Sequence, residues 1–259
     1  HGHLLVTKGV ALALADGISS SPVSQFASAA AVRSFLEDYY LTSDAWPVRR
    51  AAQRVLQATN SWLHAQTQRG EGRFDKDRGH VCTFSALVFK GRDAHLLHVG
   101  DTRVYRLHAA ALEQLTEDHT LIAWQIKQGL ITPQEAQRSP HRNVITRAVG
   151  NRDYVQVDTG LVELQKGDRF LLCSDGLHGY LKDEDVCPVV DLGQENAVRK
   201  FIDLANERGD VLLARHVETD ITRPLADLRR DHDAVFLGLG LGGVNALGLE
   251  EAERSEEHT

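Results

Sequence analysis

Four places in the chain put an aspartate where an apolar run stops. Asp16 follows "LALA", Asp101 follows "LLHVG", Asp175 follows "FLLCS", and Asp231 with Asp233 stands just ahead of "AVFLG". Any one of them alone reads as a turn residue or helix cap, because Asp and Gly populate turns for ordinary backbone reasons. The four together suggest something else. Strand ends lying side by side at one edge of a sheet would crowd several carboxylates, whose mutual repulsion is costly without a cation. Magnesium and manganese prefer such oxygen ligands and keep several waters. A glycine beside the carboxylate, as Gly17 is beside Asp16, lets the backbone carbonyl approach an ion. Two ions about 3.5–4 Å apart would hold a bridging water, deprotonated near neutral pH and placed to attack phosphorus in line. That is metal-assisted phosphoester hydrolysis.

Such carboxylates need elements to position them. Residues 3–17, "HLLVTKGVALALADG", hold two apolar runs split by Thr7-Lys8-Gly9, which predicts a hairpin whose second strand delivers Asp16. Phe26, Ala29, Ala30, Phe35, Leu36 and Tyr39 recur at helical spacing. Pro47 then opens a second amphipathic run through Val55, Leu56, Trp62 and Leu63. Residues 81–107 read as three strands punctuated at Lys90-Gly91-Arg92-Asp93 and Gly100-Asp101. Residues 117–138 predict a helix with Asp118 as N-cap and Gly129 as stop. "YVQVDTGLVEL" and "RFLLC" predict strands around the Lys166-Gly167-Asp168 turn, a helix is expected near 196–208, and "AVFLGLG" supplies a last strand. Blocks of strands and helix pairs make this an α+β plan of mostly antiparallel strands with helices packed outside.

At 259 residues, 42% of them hydrophobic, the chain can bury one substantial core. We assign residues 1–243 to a single folded domain and the more polar 244–259 to a disordered or appended tail. A net charge of -7 without a basic cluster argues against nucleic-acid binding. Cys82, Cys173 and Cys187 are odd in number and lack metal-ligand spacing, so the expected setting is a reducing cytoplasm without disulfides. No run is long enough to span a membrane.

The stretches "ADGISSSPVSQFAS", "LLHVGDTRVYRL", "LTEDHT", "NVITRAVG", "RFLLCSDGLHGYL" and "DHDAVFL" follow one another in the order and approximate spacing of the PP2C-like, or PPM, metal-dependent serine/threonine phosphatases. The chain resembles that family up to about residue 240. The wording "DGISSSPVSQFAS" is most similar to bacterial modules that precede a protein kinase in one chain. The resemblance implies a central sandwich of two antiparallel β-sheets flanked by helix pairs, with a metal centre in the cleft at one end. It implies Mn2+ or Mg2+ as cofactor, two ions and a weakly held third, and phosphoserine or phosphothreonine proteins as substrates. A protein kinase, fused or encoded alongside, is the implied partner. Carried over by motif, Asp16 is the carboxylate that bridges two metals and Gly17 ligates through its carbonyl. Asp175 and Asp231 are further ligands, and Asp101 belongs to the third metal. Asp16 and Asp175 then carry catalysis through metal-bound water, and residues 118–150 correspond to the flap near substrate.

Several positions depart from the pattern. The family's opening arginine and acidic motif have no counterpart in the fifteen residues before Asp16, which we read as a truncation that lowers metal affinity and turnover. Ile18-Ser19-Ser20 replaces the family's "MGG" or "HGG", so the general-acid histidine of many eukaryotic members is missing. His232 stands where asparagine is usual, leaving the ligand as Asp231 or Asp233, with Asp231 preferred. His119 is assigned a capping or structural role rather than that of a base. Cys173 reads as a core thiol, and Arg103 and Arg147 as scaffold salt-bridge partners rather than phosphate ligands. The alternative to an enzyme is a silent phosphatase-like module that binds or regulates a partner or linked kinase.

Overall fold

The computed structural model describes residues 2–18, 21–75, 78–109, 111–179 and 237–239. The first element is a correction to the expected hairpin. Residues Gly2–Thr7 form a short helix, α1, closed by the Lys8 N–H donating to the Leu4 carbonyl at 2.8 Å. A three-residue apolar run, Leu4–Val6, has no periodicity and suits either state. Here Val6 stays exposed, and the run pairs with no strand among the described residues. The second run is strand β1, Val10–Leu14, as expected.

Two four-stranded sheets follow. One has the order β1-β2-β3-β6, with β2 Phe84–Lys90, β3 Asp93–Val99 and β6 Asp158–Glu163, every pair antiparallel. The other has the order β5-β4-β7-β8, with β4 Arg103–His108, β5 Ala111–Gln114, β7 Arg169–Cys173 and β8 Leu237–Leu239. Its β7–β8 pair is parallel, and its other pairs are antiparallel. Successive side chains of a strand point to opposite faces, and β2 uses both. Phe84, Ala86 and Val88 pack with helices α2 (Ser24–Leu41) and α3 (Val48–Arg69), against Phe35, Tyr39, Leu56 and Leu63. Leu87, on the other face, joins Leu12, Leu96, Val104, Phe170 and Leu172 between the sheets. A strand buried on both faces cannot shift register by one residue without exchanging these two cores, so the sandwich pins its own strand ends.

The α2–α3 pair is the flanking helix pair among the described residues. The helix expected near 196–208 lies outside them. The single helix expected over 117–138 is divided into α4, Leu121–Lys127, and α5, Pro133–Gln137. Gly129, at φ +68, stops the first as expected. Thr132 starts the second with a capping box to Glu135. Strand β5, four residues long, extends the second sheet beyond the expected strands.

Candidate metal centre

Asp16 stands just beyond the end of β1, where the chain continues into an irregular pairing that fixes its direction. The Thr83 N–H donates to the Asp16 carbonyl at 2.7 Å, and the Ile18 N–H donates to the Val81 carbonyl at 3.3 Å. Cys82 lies opposite Gly17 and in turn pairs with Val149. Gly17 is required by a close approach: a Cβ there would meet the Ser24 backbone at 2.6 Å, at the start of α2. Asp101 follows Gly100, whose φ of +110 a bulkier residue would resist, and whose missing Cβ leaves room for Thr83. Asp175 opens α6, Asp175–His178, directly after β7. Three strand-end aspartates from two different sheets therefore converge.

Their convergence is visible in their protonation. Burial pushes the Asp16 carboxyl up to about 7, helped by the charge of Asp175, a hydrogen bond with it, and the charge of Asp101. Burial likewise raises Asp101 to about 6, with Asp175 the next contributor and Asp118 after it. Carboxyls shifted this far above 3.8 are destabilised as anions in the bare protein. A divalent cation would reverse that sign, since it supplies the opposite charge the cluster lacks. Among the described residues, no group of three or more His, Cys, Asp or Glu side chains is drawn together closely enough to hold a metal ion unaided. A hard ion that keeps several waters does not need one. The Ser174 hydroxyl, beside Asp175, is buried without a hydrogen-bond partner among the described residues, as a group bonded to ligand water would be. The donor set thus fits Mg2+ or Mn2+. Asp231 and Asp233 lie outside the described residues.

The neighbouring polar groups are scaffold. Arg103 forks onto Asp118, Nε to both oxygens at 3.0 and 3.1 Å and Nη2 to Oδ2 at 2.7 Å. Asp118 is therefore an ion-pair partner, not the expected cap; Thr120 caps α4 by accepting the Ala123 N–H. Arg147 is tied to Asp158 through Nη1. His119 accepts the Gly100 N–H at Nδ1, 2.9 Å away, so its proton sits on Nε2, 2.9 Å from Asp158 Oδ2. Both ring nitrogens are committed, in keeping with the structural role assigned to this residue. Burial pushes the Cys82 thiol up to about 12, with the Asp16 charge adding to it, so it stays a neutral thiol. Cys173 is fully buried, as a core thiol should be.

One contact was not anticipated. His178, three residues after Asp175, reaches the Asp101 carbonyl with Nε2 at 2.8 Å. The one-turn spacing to Asp175 was readable in "SDGLH", but nothing in the sequence shows that it faces the Asp101 loop.

A family model described as protein phosphatase 2C matches residues 3–217. The chain belongs to the protein phosphatase 2C family. It is 30% identical over 200 residues to protein phosphatase PhpP of Streptococcus pneumoniae, covering 76% of this chain and 79% of that protein. The solved Mycobacterium tuberculosis serine/threonine phosphatase PstP/Ppp has a TM-score of 0.66 at 29% identity, with 77% of this chain and 83% of that one covered. A structure of the PstP catalytic domain in complex with two manganese ions has a TM-score of 0.63 at 29% identity, covering 77% and 82%. The two-sheet α+β architecture is thus the phosphatase 2C fold. Family membership makes the chain a metal-dependent serine/threonine protein phosphatase, a hydrolase whose substrates are phosphoproteins. No helix among the described residues is long and apolar enough to cross a membrane.

Proposed function

We propose that this protein phosphatase 2C chain hydrolyses phosphoserine and phosphothreonine esters at the cluster of Asp16, Asp101 and Asp175, with Mn2+ or Mg2+ as cofactor. The observation that carries the reading is that Asp16, just beyond the end of β1, and Asp175, opening α6 after β7, come close enough for their charges to interact. Burial and Asp175 together raise the Asp16 carboxyl, a conflict that a divalent cation would relieve. Asp16 with the Gly17 carbonyl, Asp175 and Asp101 would hold the ions, and Asp231, preferred over Asp233, would complete the set. When bound, the ions supply a water acidic enough to be nucleophilic near neutral pH and positive charge for the phosphoryl oxygens.

The chain's own residues do the positioning. The Thr83 N–H and hydroxyl both donate to the Asp16 carbonyl, fixing the peptide from which the carboxylate projects. Asp175 gains a fixed origin from the buried end of β7. With all three Arg103 nitrogens engaged by Asp118 and Tyr105, that guanidinium holds the scaffold rather than the substrate phosphate. His119 cannot serve as a base while both ring nitrogens are bonded, and Ile18 stands where a general acid is found in other members. Protonation of the departing serine or threonine oxygen then falls to solvent. We place the activity in the cytoplasm, opposing a protein kinase encoded in the same chain or beside it. The relevant substrates would then be that kinase and its targets.

Phosphate release from a phosphothreonine peptide during a Mn2+ titration tests the reading. Turnover should be absent after chelation, rise with Mn2+, and be lost in Asp175→Asn. Metal-independent turnover, or full activity in Asp175→Asn, would overturn it.

A further inference from the structure

The loop that carries Asp101 is held residue by residue. Gly100 is fixed by His119, whose backbone N–H donates to the Gly100 carbonyl at 2.7 Å while Nδ1 accepts the Gly100 N–H at 2.9 Å. Thr102 is fixed by Ser85 of β2, hydroxyl to hydroxyl at 2.8 Å. Between them the Asp101 carbonyl meets Nε2 of His178 at 2.8 Å. A carbonyl only accepts, so Nε2 carries the ring proton and donates. His119 and Ser85 anchor the loop to the flap and to the first sheet. His178 anchors it to α6, and that helix begins on Asp175. One helical turn therefore carries a carboxylate at its first residue and the grip on the Asp101 peptide at its last. The Asp175 charge is also felt at the Asp101 carboxyl, so the two groups face a common space.

We propose that His178 is a positioning residue that ties the Asp101 peptide to the helix bearing Asp175 and so sets the spacing at which these two carboxylates share a divalent cation. The inference rests on the metal-centre reading above and extends it to a residue that would not itself be a ligand. Spacing matters because small divalent ions tolerate little departure from near-ideal octahedral geometry, so a loop free to drift would lose affinity. The cation shared by Asp101 and Asp175 should feel the loss most. Asp16 is held by Thr83, and that contact does not depend on His178.

The test is Mn2+ binding by titration calorimetry on the wild-type chain, His178→Phe and His178→Gln, with amide hydrogen exchange at Asp101 and Thr102 in the metal-free proteins. Phe keeps the ring volume and removes the donor, whereas the Gln amide restores an N–H near the Nε2 position. His178→Phe should weaken the weakest Mn2+ site by about tenfold or more, leave the tighter binding within about threefold, and speed exchange at Asp101 and Thr102. His178→Gln should recover most of both. If His178→Phe does not fold, His178→Asn, whose shorter amide falls short of the carbonyl, should give the same result. Unchanged Mn2+ binding and exchange in the folded donor-less variant would overturn the positioning role alone. A wild-type chain that binds no Mn2+ would overturn the metal-centre reading, and this proposal with it.

Discussion

Arg103 and Asp118 form a three-contact fork at the first residue of β4, and Tyr105 adds a hydroxyl 3.0 Å from Arg103 Nη1. Burial alone would lower the Arg103 pKa, but Asp118 and Tyr105 more than offset it and raise it. Gln114 also donates to Asp118, so the carboxylate is enclosed by donors. Arg103→Ala would leave that carboxylate largely buried without its counter-charge. A loss of about 2–3 kcal/mol is expected, which thermal unfolding would register at about 2–4 °C per kcal/mol. Arg103→Lys should recover only part, since an ammonium cannot reproduce the fork. KM for a small phosphate ester should hardly change in Arg103→Lys. A large rise in KM without a stability loss would mean that the guanidinium binds phosphate after all.

Asp16 and Asp175 oppose each other in the bare protein, so one substitution should improve folding and abolish function. Asp175→Asn removes the charge that, after burial, does most to raise the Asp16 carboxyl. Without metal, the variant should unfold about 2–4 °C higher than the wild-type chain at neutral pH, which corresponds to roughly 1 kcal/mol. With saturating Mn2+ the order should reverse, because only the wild-type centre gains binding energy. Differential scanning fluorimetry with and without Mn2+ reads both signs. A variant equally stabilised by Mn2+ would place the metal away from Asp175.

How much of this was legible depends on whether a signal was local. Asp16, Asp101 and Asp175 could be found because each interrupts an apolar run, a pattern that survives whatever the strands pair with. Phe84, Ala86 and Val88 could be assigned to a strand but not to a face, since β2 is buried on both sides and shows no alternation. Residues 4–6 were assigned to a strand because a short apolar run carries no periodicity with which to tell strand from helix. Asp118 was read as a cap because a cap is a sequence-local role; its actual partner, Arg103, lies fifteen residues upstream across a chain reversal. The break between α4 and α5 had a readable signal in "TPQE", a Thr cap, Pro at N1 and Glu at N3, which the longer helical pattern obscured. His178 had none, because its role exists only where two sheets meet.

Asp168 gives the protein an acid limb away from the metal residues. It accepts from Arg106 Nη2 at 2.7 Å and from the Gln165 N–H at 2.9 Å, and lies 2.7 Å from His108 Nδ1. Burial works to raise its pKa, but the bonds from Arg106, Gln165 and His108 outweigh burial and hold it below 3.8. A carboxyl depressed on folding contributes stability that is fully present above its unfolded pKa of 3.8 and is lost as pH falls through the lower folded value. Denaturant midpoints should therefore fall steeply for the wild-type chain below about pH 4. Asp168→Asn should start lower at pH 7, by about 1–3 kcal/mol, and lose less on acidification. Parallel pH curves for the two proteins would remove Asp168 from the acid limb.

His119 joins three parts of the molecule, and its substitution should separate positioning from proton transfer. Its ring bridges the Gly100 N–H and Asp158, and its carbonyl accepts the Thr146 N–H at 2.8 Å, next to Arg147. Burial lowers its pKa, and the Arg147 charge adds to that against the pull of Asp158, so the ring is neutral at pH 7. Arg147 Nη1 also lies 2.9 Å from Nε2, but both atoms are donors, and each is turned toward Asp158. If His119 only positions the Asp101 loop and the flap, His119→Ala should lower kcat by about ten- to a hundredfold without changing the shape of the pH–rate profile. The residual activity should still respond to Mn2+, at a higher half-saturating concentration, because the Gly100 peptide has lost its acceptor. His119→Asn should recover part of the rate, since its side-chain oxygen can accept from Gly100 near the Nδ1 position but does not reach Asp158. The loss in this variant therefore isolates the flap side of the junction. A variant profile missing an acid or base limb present in the wild-type chain would instead make His119 a proton-transfer group, and the bonded ring seen here would have to open during turnover.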